Sequence, residues 1–360
     1  MKKTKCLLLV GLLGTLLCSG SVAASADEAE LVPIESLKPA VPMVKPVLTG
    51  TGGPLILSDS PESPKTEGAY YRDSVTGSFR VFWHHQNMTG EPLTVAVAVT
   101  NESDEPVMLF SNGIGLATDY YPDVAGQTAL AGFMNNRAAQ KKEAILQPGE
   151  SYYLTALTEH THTASGIANF SAYTQKGHKD ATVTVTTLGY KEQPANPIDV
   201  PILPKDMHVR GTFPHMDRTG TLEYNTSDGN SLIRISSAAS GPWSDSMPGE
   251  YEEGWNAIDG GSAINNGNYG VMYRLNVAIH NETDAKRVIS VYDNPSGGAG
   301  HYVIGWGKYL LQSPYVNYQN AWKFTEFTVN KKGKTVAAEL SLTGGAAGPQ
   351  TLYFTNGDAK

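Results

Sequence analysis

The stretch "VAVTNESD" at residues 97–104 decides the fold, because the chain spells nearly the same eight residues again as "VAIHNETD" at 277–284. Each copy is a run of β-branched and small apolar residues that stops at an asparagine. In Asn-Glu-[Ser/Thr]-Asp the Asn tolerates positive φ, while Ser or Thr and Asp can bond nearby backbone amides, so each copy reads as a strand entering a tight reversal. The next segment, "EPVMLF" or "AKRVISV", reads as the returning strand. A second match keeps the same order: "LQPGESYYLTAL" at 146–157 answers "VNKKGKTVAAEL" at 329–340, with Gly149 opposite Gly333. Hairpins reuse few turn residues, so one shared octamer is unsurprising, but two matches in one order point to two related β-sandwiches.

The rest of the chain reads as strands around these two centres. "ATVTVTT" alternates Val183 and Val185 with threonines, "SYYLTALTEHTHT" (151–163) starts after the turn "QPGE", and "SLIRIS", "EFTVN" and "TVAAELSL" have similar lengths and punctuation. Helical spacing occurs only at 126–146, where Gly132, Asn135 and Asn136 limit it to a short helix. Seven prolines between 27 and 67 predict an extended spacer, and Pro194, Pro197, Pro201 and Pro204 predict a stiff linker at 191–206. The expected organisation is a signal peptide at 1–26, a spacer at 27–67, sandwiches at 68–190 and 207–360, and the linker between them. The expected fold class is all-β, two tandem Ig-like or jelly-roll-type β-sandwich domains.

The first residues have the form of an export leader: Lys2, Lys3 and Lys5, an apolar run from Leu7 to Cys18 too short to span a membrane, and Ala24-Ser25-Ala26 for cleavage. Cleavage removes Cys6 and Cys18, which excludes disulfides and thiol chemistry from the mature chain. It also leaves 24 Lys and Arg against 35 Asp and Glu, a net charge of −11 that disfavours nucleic acid and anionic lipid. The mature chain has no transmembrane segment and is expected to be secreted, with association to the cell wall as one form of that.

No nucleophile elbow, H-E-x-x-H pair, Walker A loop or dinucleotide fingerprint occurs, so no catalytic residue and no cofactor are assigned. His160 and His162, two apart on a predicted strand, would face one side and give two ligands to zinc or copper, with His84 or His85 as a conjectural third. The duller reading leaves both rings at a solvated strand end. The segment 242–261 sets Trp243, Tyr251 and Trp255 among Asp245, Glu250, Glu252, Glu253 and Asp259. Rings beside acids suit a sugar-binding surface or a glycosidase cleft, while a long loop also uses tryptophans to pin itself down. Glycine-rich 294–309 lacks the lysine and helix of a phosphate loop. N-x-[S/T] triplets stand at Asn87, Asn101, Asn169, Asn225 and Asn281, where they would matter to a host that glycosylates them.

"SPES" (60–63), "GSFRVFWHHQN" (77–87), "RGTF" (210–213) and "NNGNYGVMYRLNVAIHN" (265–281) resemble a group of exported proteins of Gram-positive bacteria. These are often labelled copper amine oxidase domain proteins because some members append a small module like that enzyme's N-terminal domain. The resemblance covers most of 55–355 and implies two β bodies; it carries over no catalytic residue, and no separate region of the chain matches the module. The expectation is therefore a non-catalytic binding or structural protein whose partner is a cell-wall polysaccharide or another surface protein. The alternative is a carbohydrate-active hydrolase or lyase using Glu250, Glu252 or Asp259, and a weaker one is a His160/His162 metal-binding protein.

Overall fold

The computed structural model of the protein describes residues 30–137 and 139–358, so the leader expected at 1–26 lies outside the described residues. The chain is all-β, built as two sandwiches. The first packs a four-stranded sheet, ordered Ser151–Thr158, Leu93–Thr100, Thr182–Tyr190, Gly68–Thr76, on an eight-stranded sheet. The larger sheet centres on Leu55–Ser58, Ser78–Gln86, Thr163–Thr174 and Val107–Asp119. In the second sandwich, Met272–His280 and Lys334–Leu340 lie in one six-stranded sheet, and Arg287–Pro295, Asn320–Val329 and Gln350–Asp358 in the other.

The two sequence matches turn out to be paired strands. In the first sandwich Val97 lies opposite Leu154, and in the second Val277 lies opposite Val336, each in an antiparallel pair. The asparagine that ends the apolar run of each octamer is buried and clamps the reversal with its side chain. Asn101 Nδ2 donates to the carbonyls of Glu105 (2.8 Å) and Leu146 (3.0 Å), and its Oδ1 accepts from Ser103 N (3.0 Å) and Oγ (2.6 Å). Asn281 repeats the pattern on Ala285, Val329 and Thr283. So does Asn87, on Glu91, Thr158 and Thr89, although no octamer precedes it. Three of the five N-x-[S/T] triplets are thus internal clamps, with the Ser or Thr hydroxyl bonded to the Asn side chain. Their amides are out of reach of a glycosylating enzyme once the chain has folded.

Strand Ser78–Gln86 shows what joins the sandwiches. Phe79, Val81 and Trp83 point into the first core, while Phe82, from the opposite face, belongs to the core of the second together with Ile167, Leu130 and Phe133. A sheet covered on both faces explains why seven consecutive residues of this strand are buried. The back face also carries Arg80, fully buried. Its Nε donates to Asn169 Oδ1 (2.8 Å), Nη1 to the carbonyls of Met216 and Gly270, and Nη2 to Asp217 Oδ1 (2.8 Å). Its guanidinium also stands over the Phe133 ring at 5.2 Å.

The helix Pro122–Asn135 is longer at its start than the glycine and asparagine spacing suggested. Proline opens it, Asp123 occupies its first turn, and Ala125, Ala129, Leu130 and Phe133 form its buried side. It lies flat on the sheet because Gly115 has no side chain: a Cβ there would stand 1.7 Å from the Ala129 carbonyl oxygen. The second half of the segment read as helical is instead the strand Lys141–Leu146.

Both proline-rich segments differ from the spacer and linker expected. Leu31–Pro33, Val41–Pro42 and Thr49–Thr51 each pair with an edge strand of the second sandwich, after which Leu55–Ser58 enters the first sandwich parallel to Ser78–Gln86. Pro42 needs no donor there, since Val41 N and Met43 N on either side donate to Asn230 and Leu232. Residues 191–206 lie along the outer face of the four-stranded sheet: Val200 and Ile202 pack on Ala69, Ala96 and Leu188, and Arg72 donates to the carbonyls of Pro197 and Val200. Beyond them, Arg210–Phe213 and Gly254–Trp255, expected in the second sandwich, pair into the sheet of the first. The N-terminal prolines therefore belong to a segment that pairs with the second sandwich before entering the first, and the prolines of 191–206 to one laid on the first.

His85 sits on the inner face of the same central strand. Its Nδ1 lies 2.8 Å from the Pro61 carbonyl and its Nε2 3.0 Å from Ser58 Oγ, which in turn bonds Thr187 Oγ1 at 2.7 Å. Burial pushes its pKa down from 6.5 to about 4.

Replacing Asn101 with Ala leaves three backbone groups without their partners and should cost about 3 kcal/mol in chemical denaturation. Arg80→Met should cost about 3–5 kcal/mol by the same measurement, as expected when one member of a buried ion pair is removed. Because His85 titrates lower folded than unfolded, its contribution is present above about pH 6.5 and lost as pH falls through about 4. Stability measured between pH 7 and 4.5 should therefore fall less steeply in His85→Gln than in the parent.

Candidate functional site

The residues singled out in 242–261 separate in the structure. Segment 236–251 forms a loop closed from inside by Glu250, which is fully buried and accepts from Ser236 N, Met247 N and Tyr273 Oη, each at 2.8 Å. Burial pushes this carboxyl above its ordinary range. Tyr251 fastens the same loop through its hydroxyl to the Ser237 carbonyl, and buried Met247 anchors it. Asp245 ties the tip down through Lys45 (2.5 Å) and Arg234 (2.7 Å). Trp243 is left 80% exposed at the crest of this loop.

Trp243 forms one side of a groove of about 460 Å³ at the loop end of the second sandwich. Tyr269 and Tyr318 supply its other rings, Ser236, Ser237, Asn266 and Ser296 its hydroxyls and amide, and Gly267, Gly297 and Gly348 bring the backbone close. Tyr318 is 58% exposed. None of the lining residues is Asp, Glu, His, Lys, Arg or Cys, so the groove has rings to stack and groups to hydrogen-bond but no side chain for acid–base chemistry near neutral pH. A broader depression of about 890 Å³ over Thr219, Thr221, Asn276 and Glu339 has no aromatic wall.

The other expected site residues lie elsewhere. Trp255, also exposed, lies between Thr212 and Ser262 in the second strand of the eight-stranded sheet and does not line the groove. The acids of the hydrolase alternative are engaged internally: Glu250 as above, Glu252 with Arg218 (2.9 Å) and His215 (2.8 Å), and Asp259 with Arg210 (3.0 Å). Arg218 and Arg210 are both buried, so these carboxylates neutralise interior charge. The histidine pair fails for a local reason. The strand stops at Thr158, and Glu159–His162 is a reversal with Thr161 at φ 70°, so spacing by two no longer puts both rings on one face. His160 Nδ1 accepts from Gly90 N at 3.2 Å, whereas His162 meets the edge of Tyr120. Among the described residues no group of three or more His, Cys, Asp or Glu is placed to hold a metal ion. Sequence reading missed Tyr269 and Tyr318; the available signal was a tyrosine inside Asn- and Gly-rich turns, "NNGNYG" and "SPYVNYQN".

No helix among the described residues is long and apolar enough to cross a membrane. No protein-family model matches the chain, and no curated protein matches it in sequence. Among solved structures, the tandem CBM22-1–CBM22-2 domain of Paenibacillus barcinonensis Xyn10C is 11% identical, covering 89% of this chain and 92% of that one with a TM-score of 0.17. The CUB1-EGF-CUB2 domain of human MASP-1/3 is 9% identical over 85% of this chain and 99% of that one, TM-score 0.17. The M60 catalytic domain of Clostridium perfringens ZmpB with its CBM51-1 and CBM51-2 domains is 6% identical over 92% and 39%, TM-score 0.16. Scores this low give no residue correspondence, so the chemistry of the site rests on its own geometry.

Proposed function

We propose that the protein is an exported, non-catalytic binding protein whose groove at Trp243, Tyr269 and Tyr318 takes a cell-wall or other extracellular polysaccharide. One observation carries this reading: an exposed tryptophan is held at the crest of a loop whose acids are both engaged, Glu250 in the interior and Asp245 by Lys45 and Arg234, beside a groove of rings, hydroxyls and one amide. Sugars present apolar ring faces and a rim of hydroxyls, and such a lining matches both without a charge to desolvate. The export leader and the acidic net charge fit work outside the cell on an uncharged partner.

Mature protein passed over insoluble cell-wall and polysaccharide preparations should be retained on at least one. Trp243→Ala should weaken that retention at least tenfold with unchanged near-UV circular dichroism, whereas Trp255→Ala should leave it as it was. Equal retention of parent and Trp243→Ala, or retention of neither, would remove the groove from the reading.

A further inference from the structure

A second concavity, of about 310 Å³, opens where the two sandwiches meet. Its walls come from both: Phe82 and His84 of the central strand, Asp59 and Glu62 of the N-terminal strap, His208 beyond the linker, and Tyr269 with the backbone of 344–347. Three features mark it as built to receive something. His84 is 3% exposed, lines the concavity, and has no hydrogen-bond partner at either ring nitrogen among the described residues. Gly344 lies beneath that ring, where a Cβ would stand 2.7 Å from Nδ1, so a side chain there would crowd the imidazole. The Asp59 carboxylate has neither an ion pair nor a hydrogen bond among the described residues, although Glu62 and Asp206 stand close enough to push its carboxyl up beyond what burial does. Those two neighbours share His208, whose Nε2 is 3.0 Å from Glu62 and whose Nδ1 is 3.2 Å from Asp206.

These residues specify the occupant's chemistry. Carboxylates in excess of cations call for positive charge. The rings of Phe82 and Tyr269, with centroids 6.2 Å apart, both line the recess, and aromatic walls suit a cation better than an anion. Asp59 oxygens and one nitrogen of neutral His84 are unpaired acceptors, so the cation should carry N–H donors, which a quaternary ammonium lacks. A metal ion fits less well, since no trio of ligating side chains converges among the described residues. We propose that this recess binds a compact molecule bearing a primary ammonium group, with the ammonium between Asp59 and His84. It is a site separate from the polysaccharide groove, with Tyr269 forming a wall of both.

Titration calorimetry of the mature protein tests this with glucosamine as the probe and N-acetylglucosamine and choline as controls. Glucosamine should bind at least tenfold more tightly than either control, the first lacking the charge and the second the N–H donors. Asp59→Asn, which keeps the shape, should weaken glucosamine at least tenfold, as should His84→Phe, which fills the ring's place without an acceptor. The preference for glucosamine over both controls, and its loss in Asp59→Asn and His84→Phe, should persist in a Trp243→Ala background, so failure of the groove and failure of the recess are separately visible. Equal binding of glucosamine and N-acetylglucosamine, indifference to Asp59→Asn, or zinc binding lost in the same two variants would overturn the proposal.

Discussion

The structure depends on one buried cation. A sheet that packs on both faces must hide whatever its back face carries, and on Ser78–Gln86 that includes the guanidinium of Arg80. An arginine without access to water is tolerable only when its donors and its charge are both answered. Asn169 from the first sandwich answers one donor, and Asp217, Met216 and Gly270 from the second answer three more. The residue therefore fixes how the sandwiches sit on each other. It also reaches the site: the carbonyl it holds at Gly270 comes directly after Tyr269, the ring shared by groove and recess. Gly270 itself, at φ 76°, passes so close to Phe82 that a Cβ would stand 2.6 Å from that side chain.

Around this joint, backbone pairing is completed by the segments richest in proline. Exposed sheet edges invite pairing with other chains, and a strand containing proline covers an edge while offering few new donors of its own. The strap at 31–51 does this for the second sandwich, and residues 191–206 cover the outer face of the smaller sheet in the first. Because the strap runs along the second sandwich before entering the first, neither sandwich is closed by a continuous stretch of sequence.

The range of the forces involved decides which features were legible in the sequence and which were hidden. Strands announced themselves through alternation and turn residues, which are local, but the strands read as returning from the octamers, Val107–Asp119 and Arg287–Pro295, cross to the opposite sheet, and the octamers pair instead with Ser151–Thr158 and Lys334–Leu340. The back-face contact was invisible because "FRVFWHH" shows only that both faces are apolar enough to bury, not what covers the second. Proline shows that a segment donates little and cannot say whether it crosses solvent or lies on an edge. The acids of 242–261 looked available because their arginine partners, Arg210 and Arg218, lie dozens of residues upstream. Thr161, in the left-handed region, broke the strand that would have aligned His160 with His162. Trp243 was legible as an aromatic among turn residues; Tyr269 and Tyr318 carried the same signal more faintly.

Groove and recess both draw on loops that stay in place only if the sandwiches behave as one body. Scanning calorimetry of the mature protein measures that directly. A single transition, with calorimetric and van't Hoff enthalpies in agreement, is the result expected of a shared core pinned by Arg80. Two separate transitions, one for each sandwich, would show that the junction is not what holds the molecule together.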